Sequence, residues 1–222
     1  WKGHFQVVKL LVEQSQDLGL DLNKAEKGGM TPFHTACHNK HDKIVDFLIN
    51  SAPKVNINLK DTFGQSGLGL YFRKVCENGD LKNLEKLLKL EEKIDFNEPD
   101  KHGQTGFFWA CKQGHFKVVK LLVEKCQSLD LNKAEKSGMT PLDAACFKKQ
   151  AKISQLLLTH LDQSKTCFIW ACAQGKFQKV KTLLKSKSID FNATDDDGRT
   201  GLHHACRHGH FQVVKMLVEI GS

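Results

Sequence analysis

Apolar and polar positions along this chain follow a helical period that stops and restarts. In "HFKVVKLLVEK", residues 115–125, Phe116, Val119, Leu122 and Val123 fall three and four residues apart and form one apolar stripe. The same pattern begins as "GHFQVVKLLVE" at Gly3, "GHFKVVKLLVE" at Gly114 and "GHFQVVKMLVE" at Gly209. Weaker copies begin at Lys40, Gly79, Lys149 and Gly175, and successive starts lie 37, 39, 35, 35, 26 and 34 residues apart. A period of this length marks a tandem array of small units.

A second motif precedes most copies: "TPFHTAC" at Thr31, "TGFFWAC" at Thr105, "TPLDAAC" at Thr140, "TCFIWAC" at Thr166 and "TGLHHAC" at Thr200. Thr caps a helix N-terminus, and Pro suits the first turn, where its missing N–H would have had no partner. Each motif therefore predicts a short first helix, ending near the glycine of "QG" or "HG", which tolerates a left-handed backbone. The apolar stripe then forms a second helix. Extended "LDLN" or "IDFN" segments and a glycine-containing turn lead to the next unit, with Asn and Gly supplying turn chemistry. One such unit cannot bury its stripe alone; stacked neighbours bury it.

The approximate units are 1–28, 29–64, 65–103, 104–138, 139–164, 165–198 and 199–222. Two spacings depart from the period. Around the third unit about four extra residues are expected in "TFGQSGLG", with Leu70, Tyr71 and Arg73 in place of the opening Thr, the Pro and the His. Before Thr166 the spacing is short, and a gap is expected in the row of loops. The first residue, Trp1, already lies inside the pattern, and a longer natural protein is expected.

These motifs resemble the ankyrin repeat, whose unit combines a D-x-x-G-x-T-P-L-H-x-A turn and helix with a G-H-x-x-V-V-x-x-L-L second helix. "DKHGQTGFFWACKQGHFKVVKLLVE" and "DDDGRTGLHHACRHGHFQVVKMLVE" carry the resemblance most fully. It implies an all-α ankyrin-repeat solenoid of stacked helix–turn–helix units with protruding hairpin loops. It further implies a concave groove, formed by loops and first helices, that binds another protein or peptide, with no cofactor and no catalysis. The alternative it leaves open is a regulatory domain of a larger channel or signalling protein, making contacts within that protein or its oligomer.

Composition changes this picture little. The formal charge is +8 over 222 residues, but Lys and Arg are interspersed with Asp and Glu rather than blocked. That biases the partner toward acidity without predicting nucleic-acid binding. No apolar run approaches the roughly 20 residues of a membrane helix, and no signal peptide opens the chain. Cys37, Cys76, Cys111, Cys146, Cys172 and Cys206 recur at one slot beside a small residue, as core packing requires; Cys126 and Cys167 fall outside it. Eight cysteines without a disulfide pattern point to an intracellular, cytoplasmic location. Nucleophile elbows, phosphate loops and H-E-x-x-H are missing. His204 and His208 share a helix face, but two ligands do not make a metal site.

Slots that vary between units are free to carry function. The residue two before the repeated cysteine is Thr35, Lys74, Trp109, Ala144, Trp170 or His204. Helical spacing puts Trp109 with Lys112 and Gln113 on one strip, Trp170 with Ala173 and Gln174, and His204 with Arg207 and His208. The resemblance places this strip beside the groove, making Trp109, Lys112, Gln113, Trp170, Gln174, His204, Arg207 and His208 candidate partner-binding residues. His102 and Asp196 are candidates at the loop tips. For the two tryptophans, filling space between units is the competing role.

Overall fold

The computed structural model describes residues 3–52, 54–160, 165–184, 190–195 and 197–221. Among them the helices from α2 onward come in pairs. The first helices are α2 (Pro32–His38), α4 (Gly67–Asn78), α6 (Gly106–Gln113), α8 (Pro141–Phe147), α10 (Lys165–Ala173) and α12 (Gly201–Arg207). The second helices are α1 (Phe5–Glu13), α3 (Asp42–Ser51), α5 (Leu81–Leu88), α7 (Phe116–Lys125), α9 (Ala151–His160), α11 (Phe177–Leu184) and α13 (Phe211–Gly221). No strand occurs among the described residues; two isolated antiparallel bridges, Lys60–Ser66 and Thr194–Thr200, close loops.

The N-caps form as the motif requires. Thr31, Thr140 and Thr200 each close a capping box with the residue three positions on. The turn between paired helices needs a positive φ. Gly114 supplies it at 84°, whereas Lys40 and Lys149 adopt it at 52° and 59°, a conformation that disfavours residues with a Cβ.

Histidines join units. His34 Nδ1 accepts the Thr31 N–H at 3.3 Å, which leaves Nε2–H to donate to the Gln65 carbonyl of the next unit at 3.1 Å. His115 and His210 reach back a unit, each donating to a carbonyl (Glu77 and Ala173) at 2.8 Å. The Asn of "LDLN" and "IDFN" does more than turn the chain. Asn97 donates to the Ser128 carbonyl at 2.7 Å and accepts the Asp130 N–H at 2.8 Å, stapling one connecting segment to the next. Asn23 does the same with Lys54 and Asn56.

The extra residues of the third unit lie in a helix rather than in its loop. Ser66, not Leu70, takes the N-cap, accepting the Gly69 N–H at 3.0 Å. The inserted residues form an additional turn of α4. Room for it comes from glycines: a Cβ on Gly67 would lie 2.5 Å from the Phe33 ring, and one on Gly69 would collide with the Glu98 carboxylate. Glu98 is buried and accepts the Ser66 N–H at 2.7 Å. Buried Arg73 bonds the Gln65 side chain and the Glu98 carbonyl. The same turn carries Tyr71 to Asp42 of α3, to which its hydroxyl donates at 2.7 Å.

First helices stack in the order α2, α4, α6, α8, and separately α10 on α12; no comparable stacking joins α8 to α10 among the described residues. The buried core divides at the same place, into one cluster reaching Leu157 and a second centred on Phe168, Ala171, Cys172, Val180, Ala205 and Val213. Trp170 and Leu183 pack against both clusters. The loops on either side of the short unit approach each other: a Cβ on Gly138 would lie 3.8 Å from Asp197 Oδ1. The segment just before Thr166, where the gap in the loop row is expected, lies outside the described residues. At the opposite end, an apolar cleft of about 370 Å³ lies beside α1, lined by Val7, Leu11, Phe33 and Ile44 among others.

Candidate functional site

At α12 the strip of variable residues meets the preceding loop. On α12, His204 Nε2 lies 2.7 Å from Asp195 Oδ2 in the preceding loop. Partial burial opposes the charge on Asp195, but the hydrogen bonds from His204 and the Arg199 N–H outweigh it and hold this carboxyl below its ordinary range. The Asp195 Oδ1 also accepts the Asp197 and Arg199 N–H groups, at 3.0 and 2.8 Å, so loop and helix share one carboxylate. Beyond His204, Arg207 and His208 are exposed. The His208 ring stacks on His210 with centroids 6.1 Å apart, an alignment the spacing to His204 did not indicate. Partial desolvation and the charges of His210, Arg207 and His204 push His208 down in pKa.

On α6 the strip carries Trp109 and Lys112. The Lys112 ammonium sits 4.4 Å from the Trp109 ring centroid, a cation–π contact. Trp109 is half-buried and is not one of the side chains packed on either core cluster. Gln113 is exposed beside it. Glu135 of the next loop accepts from Ser137 at 2.6 Å and from the Gln104 side chain. Against the effect of partial burial, these bonds and the Lys112 charge hold Glu135 below the usual carboxylate range.

The two tryptophans differ. Trp170 directs its indole N–H at the Cys146 sulfur and touches both core clusters, so it spans the interrupted stack. Gln174 is exposed at the end of the same helix. At the loop tips, His102 is exposed and its carbonyl accepts the Lys136 N–H at 3.0 Å, tying adjacent loops. Asp196 lies outside the described residues.

Among the cysteines, Cys37, Cys76 and Cys111 are fully buried, and burial pushes their thiols well up. Off-pattern Cys126 is buried too, whereas in-pattern Cys206 is exposed on α12. The side chain of Cys167 lies outside the described residues.

Phe147 was not singled out by its slot, yet it is 73% exposed on the helix following α6 in the stack, and the Lys148 ammonium lies 5.7 Å from its ring centroid. Its position one residue after the repeated cysteine, on the Lys112 row, was the available signal.

Fold and strip together define a tandem-repeat solenoid with a side-chain-lined face between first helices and loops. The chain belongs to the ankyrin repeat family: models of ankyrin repeats match residues 2–61 and 72–167 (three copies) and 168–218 (many copies). It is 39% identical over 61 residues to inversin of Danio rerio, covering 27% of this chain and 6% of inversin. To acyl-CoA-binding domain-containing protein 6 of Rattus norvegicus it is 36% identical over 58 residues, 26% of this chain and 20% of that protein. To the serine/threonine-protein kinase TNNI3K of Mus musculus it is 42% identical over 52 residues, 23% of this chain and 6% of the kinase. The chain thus matches only a small part of each relative's length. In structure it resembles the ankyrin repeat domain of Bcl-3, with a TM-score of 0.67 and 24% identity over 97% of this chain and 94% of that one, a likeness of fold. Among the described residues no helix is long and apolar enough to cross a membrane.

Proposed function

We propose that this chain is a protein-recognition scaffold. Its partner, a protein or peptide with an acidic contact surface, lies against the first-helix strip: Trp109, Lys112 and Gln113 on α6, Gln174 beside Trp170 on α10, and His204, Arg207 and His208 on α12. The loop tips at His102 and Asp196 border it. The observation that carries this reading is Trp109, a large ring outside the core, covered by Lys112 on the face that the loops border. Trp and Arg at such positions concentrate binding energy. Selection of displayed random peptides on the intact chain, followed by hydrogen-exchange footprinting, tests it. Protection of α6, α8 and α12 with their loops is expected; protection confined to α3, α5 and α7 overturns it.

A second reading is supported by the relatives, in which the matched segment is a small part of a larger protein, one of them named as a kinase. The scaffold then serves as a regulatory module contacting other parts of its own protein or oligomer. Intramolecular cross-links from Lys112 or Lys148 in the full-length protein would support it, and their absence would count against it.

A further inference from the structure

The middle of the strip combines aromatic surface with positive charge outside any ion pair among the described residues. Phe147 is 73% exposed, far more than any other first-helix aromatic among the described residues. Trp109 precedes it by one unit, and Trp170 follows across the interrupted stack. Lys112 and Lys148 lie over the Trp109 and Phe147 rings, and neither has a carboxylate within ion-pair distance among the described residues.

The acids of this face are engaged by the protein itself. Glu77 pairs with Lys74 at 2.9 Å, and Asp143 accepts from the Thr140 hydroxyl at 2.7 Å. Glu135 is held by Ser137 and Gln104, and Asp195 by His204. A ligand approaching Phe147 therefore meets an exposed ring with the Lys112 and Lys148 ammonium groups, neither held in an ion pair among the described residues, and charge complementarity favours carboxylates.

Spacing sets the form of that ligand. Packed helices lie about 8–10 Å apart, and a polyproline II chain, with three residues per turn, advances about 3.1 Å per residue. One turn of such a chain thus matches one step of the array and returns every third side chain to the same face. We infer that the occupant of this part of the groove is an acidic segment in the polyproline II conformation carrying an apolar side chain about every third residue, with one seated on Phe147 and its carboxylates on Lys112 and Lys148. This rests on the groove reading above and adds the chemistry of the ligand to it.

The test uses the whole 222-residue chain and fluorescein-labelled, end-capped decapeptides read by fluorescence anisotropy. One peptide carries Phe at every third position with Asp and Glu between; a second keeps Phe but has Ser and Gln between; a third keeps the acids but has Ser for Phe. The first is expected to bind at least tenfold more tightly than either control. Phe147→Ser should weaken it at least tenfold, while Phe63→Ser, at an exposed loop ring, should change it less than twofold. Lys112→Gln combined with Lys148→Gln should flatten the salt dependence. Equal binding of the three peptides, or a Phe147→Ser effect within twofold, overturns the inference. If that occurs while display-selected peptides still protect α6, α8 and α12, the groove reading stands and only the ligand chemistry is wrong. Protection confined to the second helices overturns both.

Discussion

Trp170 on α10 points its indole N–H at the sulfur of Cys146 on α8, across the place where the first helices cease to stack. Its ring touches both core clusters, whereas that of Trp109, in the same slot of another unit, touches neither.

Truncating them should therefore separate stability from binding. Trp170→Ala removes packing from both clusters and should cost about 3 kcal/mol, the lower end for large aromatic truncations because the ring is only half-buried. Trp109→Ala forfeits a cation–π contact worth about 0.5–1 kcal/mol together with the packing of its buried half, but no contact that joins the two clusters, and should cost less. Urea unfolding followed by circular dichroism measures both. Equal losses would show that Trp109 supports the fold as much as Trp170 does.

Arg73 offers a second stability test. It is buried and serves the Gln65 side chain and the Glu98 carbonyl. Arg73→Met keeps much of the apolar volume and leaves both acceptors without this donor, a loss of about 1–3 kcal/mol. A midpoint unchanged in thermal unfolding would mean that the additional turn of α4 does not depend on this network.

Thiol accessibility should follow the stack. Cys37, Cys76 and Cys111 are sealed in the core with thiols pushed up by burial, while Cys206 is exposed. Under native conditions Ellman's reagent should label Cys206 rapidly, and Cys206→Ser should remove one fast equivalent. Fast labelling that persists undiminished in that variant would place Cys206 under cover.

Acidification should destabilise the α12 end. His208 has a folded pKa below its ordinary value, chiefly through desolvation and then the neighbouring His210, Arg207 and His204. The unfolded chain then binds more protons than the folded one, so stability present above about pH 6.5 declines as pH falls through that value. Asp195 acts in the same direction at lower pH: its carboxyl is depressed, and the stability it adds is present above about pH 3.9 and lost below. Thermal melts between about pH 7.5 and 5.5 should show the first effect, and His208→Gln should reduce it. An identical pH slope in that variant would assign the effect elsewhere.

Much of this architecture was readable in advance, because each unit repeats one capping signal and one apolar stripe. Thr31, Thr140 and Thr200 cap as their motif requires. The four-residue insertion was misread because counting back from Cys76 aligns Leu70 with the threonines. The protein instead keeps the loop register, caps with Ser66 and lengthens the helix, a choice that depends on the space beside Gly67 and Gly69. Cys206 was misread for a different reason: burial of its slot depends on contacts between units, which spacing within a unit does not show. On the strip, helical spacing correctly joined Trp109 to Lys112. It carried no information about which tryptophan meets a neighbouring unit, about His204 reaching Asp195, or about the exposure of Phe147, all of which are set by contacts between units.

The interruption between α8 and α10 also bears on cooperativity. In a linear array, stability is a sum over units and the interfaces between them, and one weak interface divides the chain into independently melting blocks. Among the described residues Trp170 and Leu183 span this joint. Under load the molecule would behave as two springs in series with a compliant link, and the block from α10 to α13, with the smaller core among the described residues, would yield first.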